Sequence, residues 1–389
     1  MWFFRSPTII HGEGALDYLR ELEIARAFVV TDHVIASIGL LDRALQPVRD
    51  SGAALTIFDA VEPEPSLETI QRGAQAMTTH QPEWIIAVGG GSVMDAAKAM
   101  WVLYENPGVE VEALAPMQPI QLRRKARLVA IPTTAGTGSE ATWAFVITVP
   151  GDPPRKLGSG HPLAMPDFAI VDPAMSVSAP PQVTADSGMD ALTQAVEGFL
   201  ANWANDYTDG MCLAAARLAL EYLPHAYHHP DDLFARERMA NSATLSGLGY
   251  INSMVGLAHA MGHALGAIFH VPHGRAVGLC LPYVLRFYGG PGCPPETAAR
   301  LTALARALDL PHDSAHSSAQ ALAARVAQLA GELGQPLTIA ALGITAEQFE
   351  AALPALVESA LSDTVIFNAP RQPSEDELRE LFRRAFRGH

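Results

Sequence analysis

Trp84-Ile85-Ile86-Ala87-Val88-Gly89-Gly90-Gly91-Ser92-Val93-Met94-Asp95-Ala96-Ala97-Lys98 passes from a continuous apolar run through three glycines into a helical period. Five apolar residues in a row suit a strand buried on both faces, and the glycines mark the turn into a helix. Four more runs of this kind flank it: Ala27-Phe28-Val29-Val30-Thr31-Asp32, Ala53-Ala54-Leu55-Thr56-Ile57-Phe58, Arg127-Leu128-Val129-Ala130-Ile131-Pro132 and Phe168-Ala169-Ile170-Val171-Asp172. Helical periods fill the gaps, for example at 66–78 and 92–104. Apolar strands alternating with helices predict a parallel sheet covered on both faces.

Beyond Met175-Ser176-Val177-Ser178-Ala179-Pro180-Pro181 the character changes. Helical patterns rich in Ala and Leu take over at 185–201, 209–222, 233–248 and 294–308, and β-branched runs become scarce. The reading is an α/β domain over 1–180 followed by an all-α domain over 181–389. The charged stretches 236–239 and 375–387 are read as solvated faces, and the Ala-rich 315–330 as a plain structural helix. With 49% hydrophobic and 17% charged residues the chain has ample material for two cores and too little charge for extended disorder. A net charge of −15 disfavours a nucleic-acid partner, since a phosphate backbone would be repelled. Met1-Trp2-Phe3-Phe4-Arg5-Ser6-Pro7 breaks off too soon for a secretory apolar region, and no run approaches a membrane span. Cys212, Cys280 and Cys293 are few and scattered, which fits reduced thiols in the cytoplasm.

The glycine loop lets backbone N–H groups approach a pyrophosphate while the helix N-terminus adds partial positive charge. Ser92 is placed to cap that helix or to donate to a phosphate. The spacing is not G-x-G-x-x-G, so a tight turn without a ligand stays open as the alternative. A second polar loop, Pro132-Thr133-Thr134-Ala135-Gly136-Thr137-Gly138-Ser139-Glu140, follows the next strand. Its hydroxyls suit either turn chemistry or a nucleotide, and two such loops at neighbouring strand ends favour the nucleotide. Asp32, at the end of its strand, is a candidate for the adenosine ribose hydroxyls; its charge would repel a 2′-phosphate, which points to NAD. Glu64 would add to the same negative field.

His259 and His263 stand four apart in Leu257-Ala258-His259-Ala260-Met261-Gly262-His263, on one helix face. His273 follows in the turn His270-Val271-Pro272-His273-Gly274, and Asp190 and Gln194 lie one turn apart on an earlier helix. Imidazole with carboxylate suits Zn²⁺ or Fe²⁺, and a catalytic site takes three protein ligands and one open position. His270 is read as structural, and His161, with Pro162 after it, as a loop residue.

Together these segments resemble the iron-containing (group III) alcohol dehydrogenase family, of the dehydroquinate-synthase-like fold. The resemblance runs from Gly89-Gly90-Gly91-Ser92 with Asp95 and Lys98 through the 132–140 loop, Asp190-Ala191-Leu192-Thr193, His259-Ala260-Met261-Gly262-His263 and Pro272-His273-Gly274 to Ala369-Pro370-Arg371. It implies an N-terminal Rossmann-like dinucleotide-binding domain, a helical C-terminal domain, and an active site in the cleft between them. It further implies that Asp190, His259 and His273 are metal ligands and that His263 is a proton relay beside the nicotinamide. Asp32, Gly90, Gly91, Ser92, Thr133, Thr134, Thr137 and Lys156 match cofactor-contacting positions, and Asp32 the acidic residue tied to NAD preference. Gln194 departs from the family, most of whose members place a histidine there as fourth ligand; the metal is Fe²⁺ or Zn²⁺.

The resemblance implies a Lewis-acid metal that stabilises an alkoxide while hydride passes to NAD. Trp143, Ala144, Phe145, Tyr250, Val255, Val365 and Phe367 fall at its substrate-lining positions. None is basic, which favours a neutral, fairly apolar alcohol or aldehyde over a sugar acid. Three other readings stay open: an elimination of the dehydroquinate-synthase type, a metal-independent reductase, and a non-catalytic NAD-binding sensor. The family also implies a homo-oligomer, a dimer or larger.

Overall fold

The computed structural model describes residues 3–151 and 155–388. Six parallel strands form one sheet: β1 (Thr8–His11), β2 (Arg26–Val30), β3 (Ala54–Phe58), β4 (Trp84–Gly89), β5 (Arg127–Pro132) and, after a separate antiparallel pair β6 (Ala144–Val149) and β7 (Arg155–Gly160), β8 (Phe168–Val171). Their order across the sheet is β1-β8-β5-β4-β2-β3. All five apolar runs named above are strands of this sheet.

Alternation along each strand explains why the runs are apolar throughout. Phe28, Val30, Ile85, Ala87, Leu128 and Ala130 enter one hydrophobic cluster; Ala27, Val29, Trp84, Ile86, Val88, Val129 and Ile131 enter another. Successive side chains point to opposite faces and both faces are dry. Of the helices α1 (His33–Ser37), α2 (Leu40–Asp50), α3 (Leu67–His80) and α4 (Gly91–Glu105), α3 and α4 cover the first face and α2 the second.

From Pro181 onward the described residues contain no strand. The helices are α5 (Pro181–Leu200), α6 (Asp206–His228), α7 (Leu233–Ser253), α8 (Leu257–Phe269), α9 (His273–Tyr288), α10 (Pro295–Ala307), α11 (Ala315–Glu332), α12 (Ala346–Ser362) and α13 (Glu375–Arg387). The chain divides into two compact units, one of residues up to Ala179 with Asp231–Gly247, the other of Pro180–Pro230 with Leu248 onward. In the second unit α5 packs on α6 and α9, and α8 on α9 and α12. No helix among the described residues is long and apolar enough to cross a membrane.

One sequence expectation fails within α7. Arg236 and Met239 are buried rather than solvated, while Glu237 and Arg238 between them are half-buried. Helical periodicity puts 235, 236, 239, 240 and 243 on the inward face, and local charge density carries no information about that phase.

Candidate functional site

In the first unit, β2, β4 and β5 end side by side. The Thr31 hydroxyl donates to the Val88 carbonyl at 2.8 Å, and the Thr133 N–H donates to the Gly89 carbonyl at 3.0 Å. From β2 the chain passes to β3 on one side and then to β4 on the other. The reversal of strand order thus lies between β2 and β4, where open parallel sheets bind ligands at their carboxyl ends. Asp32, Gly90, Gly91, Ser92, Thr133, Thr134 and Thr137 all follow these three strands.

The two loops touch. A Cβ on Gly91 would stand 2.8 Å from Thr137 Cγ2, and one on Gly90 would stand 3.5 Å from Thr134 Oγ1. The N-cap of α4 is Gly90, with no side-chain cap, so its first N–H groups lack the partner a capping hydroxyl would supply. Ser92 does not cap the helix; its Oγ accepts from the Glu64 N–H at 3.4 Å. Lys156 pairs with Glu64 at 2.5 Å, because β7 sits beside β6 and Thr148 of β6 donates to the Glu64 carbonyl. Glu64 is thereby drawn to Ser92 with its charge matched. Asp32 caps α1, Oδ1 accepting from the Ile35 N–H at 2.9 Å.

Lys98 holds the loops from beneath. It is fully buried, and Nζ donates to Ser139 Oγ at 2.7 Å, Thr142 Oγ1 at 2.9 Å and the Ala144 carbonyl at 3.0 Å. Asp95 completes the knot by accepting from Ser139 Oγ and the Val146 N–H. Burial pushes the Lys98 ammonium down to about 8, against the pull of Asp95 and Glu140. Three acceptors around three donors favour the charged form, so the ammonium is a crosslink between β5's loop and β6.

The second unit gathers the histidines. Asp190 of α5, His259 of α8 and His273 at the start of α9 bring one donor atom each within 4.8 Å of one another. Asp190 Oδ1 lies 3.6 Å from His259 Nε2 and 3.4 Å from His273 Nε2. That oxygen is buried and makes no hydrogen bond. Burial works against the Asp190 charge, but His273 and His259 outweigh it and hold the carboxyl below the usual range. Burial also opposes a proton on His259, yet Asp190 and Glu197 more than offset this and raise it to about 9. Gln194 is buried one turn past Asp190. Pro272-His273-Gly274 opens α9: a Cβ on Gly274 would meet the Asp186 carbonyl oxygen at 2.0 Å, so glycine alone allows the close approach to α5 that delivers His273. Arg275 then clamps Asp186 through two hydrogen bonds.

His263 stacks on His273 with ring centroids 5.3 Å apart, and its Nδ1 lies 2.6 Å from Asp363 Oδ2. Burial lowers its affinity for a proton, with Asp363 pulling the other way. Asp363 begins the short 3-10 turn Thr364–Asn368 that carries Val365 and Phe367.

Of the other expected pocket positions, Tyr250 and Val255 belong to the second unit and Trp143, Ala144 and Phe145 to the first. Phe145 is an inward residue of β6 packed in the core, alternating with Ala144 and Val146, and so is not free to line a cavity. Sequence reasoning passed over Glu197, Asp363 and Arg275, and assigned Lys98 no role. Glu197 carried a signal, since it stands seven after Asp190 on the same helix face. Asp363, one hundred residues from His263, carried none.

Residues 6–173 match the family model described as iron-containing alcohol dehydrogenase, and residues 184–386 match the C-terminal model of the same family. The chain belongs to the iron-containing alcohol dehydrogenase family. It is similar to the NADPH-dependent butanol dehydrogenase of Clostridium saccharobutylicum (34% identical over 100% of this chain and 98% of that one). It is also similar to the 1-propanol dehydrogenase PduQ of Salmonella typhimurium (36%, over 97% and 98%). A solved 1,3-propanediol oxidoreductase superposes with TM-score 0.90 at 30% identity, covering 99% of this chain and 100% of that one. The chain spans 46% of the longer aldehyde-alcohol dehydrogenases it also matches. As a member of the family it is an alcohol oxidoreductase that works with NAD(P) and a divalent metal.

Proposed function

We propose that the protein interconverts a small to medium, uncharged, apolar alcohol and its aldehyde with NAD, using a divalent cation held by Asp190, His259 and His273. The observation that carries this reading is the buried Asp190 Oδ1, which makes no hydrogen bond and faces two imidazole Nε2 atoms. One carboxylate and two imidazoles whose donor atoms lie within 4.8 Å of one another would hold a divalent cation between them. Gln194 supplies an amide near the same place, a weaker donor that leaves iron and zinc both suitable. When bound, the cation supplies Lewis acidity toward the alcohol oxygen and the nicotinamide supplies the hydride acceptor.

The remaining work belongs to side chains. Asp363 can only accept, so the proton shared with His263 sits on Nδ1 and leaves Nε2 to take the substrate's proton. Tyr250, Val255, Val365 and Phe367 offer apolar contact with no cation to bind a carboxylate or phosphate. Asp32, Gly90, Gly91, Ser92, Thr133, Thr134, Thr137 and Lys156 hold the dinucleotide. The test is NAD reduction with a series of primary alcohols and with a sugar acid; turnover of the alcohols alone supports the reading, and no turnover of any makes the chain a binding protein.

Cofactor choice turns on Asp32. Its carboxylate would face a 2′-phosphate with like charge, which costs several kcal/mol. Asp32→Gly is expected to lower the NAD-over-NADP ratio of kcat/KM on the order of ten- to a hundredfold. Glycine keeps the α1 cap to within a few tenths of a kcal/mol, so the melting temperature should barely move. An unchanged ratio would remove Asp32 from the argument.

Lys98→Met is expected to raise KM for the dinucleotide roughly tenfold, through displacement of the 132–140 loop, while kcat changes less. It should also lower stability by about 3 kcal/mol, the scale for removing one partner of a buried charged cluster. Dinucleotide titration and denaturant unfolding check the two effects.

A cytoplasmic location and a homo-oligomer are part of the same proposal. The three thiols are unpaired, as a reducing compartment would leave them. Light scattering would read the oligomer directly.

A further inference from the structure

We propose that Glu197 is a positioning residue that sets the metal-binding form of His259; the inference rests on the proposed cation site. Asp190, Gln194 and Glu197 follow one another at intervals of four and three on α5, so they share a face. Glu197 is 2% exposed and meets no solvent that could solvate its charge. Oε1 accepts from the Ala258 N–H at 2.6 Å; Oε2 accepts from the His259 N–H at 3.2 Å and lies 2.5 Å from His259 Nδ1.

Two consequences follow. The N-cap of α8 is Gly256, which has no side chain to satisfy the first helical N–H groups, and Glu197 reaches across from α5 to do so. Its negative charge is stabilised there by the positive end of the α8 dipole. The second consequence concerns His259. A carboxylate accepts and does not donate, so the hydrogen between Glu197 and the ring sits on Nδ1. In the neutral ring, the form that binds a metal, the lone pair is then on Nε2, the atom that faces Asp190 Oδ1 at 3.6 Å. One buried carboxylate thus fixes the helix start, the ring orientation and the tautomer of a metal ligand. Glu197 and Asp190 together bring two negative charges, which match a divalent cation, while Gln194 adds none.

The test is the affinity of the metal-stripped, full-length protein for Zn²⁺, measured by competition with a chelator, together with the rise in Tm on adding Zn²⁺. Glu197→Gln is expected to weaken Zn²⁺ binding ten- to a hundredfold and to shrink the Zn²⁺-dependent rise in Tm. A purely structural Glu197 would lower Tm equally with and without Zn²⁺ and leave the affinity unchanged, which overturns the inference. Should Glu197→Gln fail to fold, Glu197→Asp decides: it keeps a charge beside the α8 N-terminus but withdraws the acceptor from Nδ1. Wild-type affinity in Glu197→Asp then overturns the inference, and weakened affinity supports it. Asp190→Asn separates the two levels. If it binds Zn²⁺ as tightly as wild type, the cation site itself is misplaced and this inference falls with it. If it loses binding while Glu197→Gln keeps it, only the role of Glu197 is wrong.

Discussion

Asp190→Asn is expected to lose its divalent metal on dialysis and to lower kcat/KM by about a thousandfold. The asparagine has nearly the shape of aspartate, so the packing of α5 should survive and circular dichroism should not change. What disappears is the anionic oxygen that lies 3.4 and 3.6 Å from the two imidazole nitrogens and makes no hydrogen bond of its own. A buried acceptor without a partner is normally destabilising, and here it becomes intelligible as the anchor of a cation. Lewis-acid stabilisation is worth several kcal/mol, and at about 1.36 kcal/mol per decade this is a thousandfold in rate. Elemental analysis and steady-state turnover of a primary alcohol are the measurements. Wild-type protein stripped with a chelator should behave like the variant until Fe²⁺ or Zn²⁺ is returned. A variant that retained one tightly held metal and full turnover would sink the proposed site.

Gly274→Ala is expected to reduce activity by roughly a hundredfold although the added methyl touches no reacting group. Its Cβ would lie 2.0 Å from the Asp186 carbonyl oxygen and 3.1 Å from Asp190 Cβ. Carbon and oxygen rest at about 3.3 Å or more, so α9 must withdraw from α5 by more than about 1 Å. His273 is the preceding residue and Arg275 the following one, so both the proposed metal ligand and the clamp on Asp186 move with it. Overpacking should also lower stability by about 1–3 kcal/mol. Gly331 on α11 is the control: beyond its chain neighbours and its own helix backbone nothing lies within 4 Å of an added Cβ, so Gly331→Ala should stabilise by up to about 0.5–1 kcal/mol. Thermal unfolding and metal content together would show the opposite signs. Full activity and unaltered metal content in Gly274→Ala would mean that His273 is not held by this contact.

Strands β2, β4, β5 and β8 were readable because burial on both faces demands an apolar residue at nearly every position, and the edge strand β3 because its run stayed largely apolar although Ala54 and Ile57 are exposed. The edge strand Thr8–His11 escaped notice, since its outer residues are exposed and its inner ones only half-buried. The hairpin of β6 and β7 escaped for the opposite reason: Ala144–Val149 alternates between covered and open positions, a weaker signal than a continuous run. Of the proposed metal site, the histidines were legible from the four-residue spacing of His259 and His263 on one helix face and from the Pro-His-Gly turn at His273, whereas Asp190, His259 and His273 stand on three separate helices.

Sequence by itself thus determined the layered α/β half, the helical half, the polar loops at the strand ends and the three candidate ligands Asp190, His259 and His273. Each of these is encoded by a local period or a turn chemistry that does not depend on what lies across the fold. Tertiary structure alone decided the rest. It turned Arg236 inward, sent Phe145 into the core, made Lys98 a crosslink, and brought Glu197 to His259 and Asp363 to His263. These are pairings between polar atoms 41 to 100 residues apart, or the choice of which helix face is buried. Periodicity can mark a face, as it does for Arg236 and Glu197, but it does not name the partner, because a hydrogen bond needs only one donor and one acceptor at the right place in space.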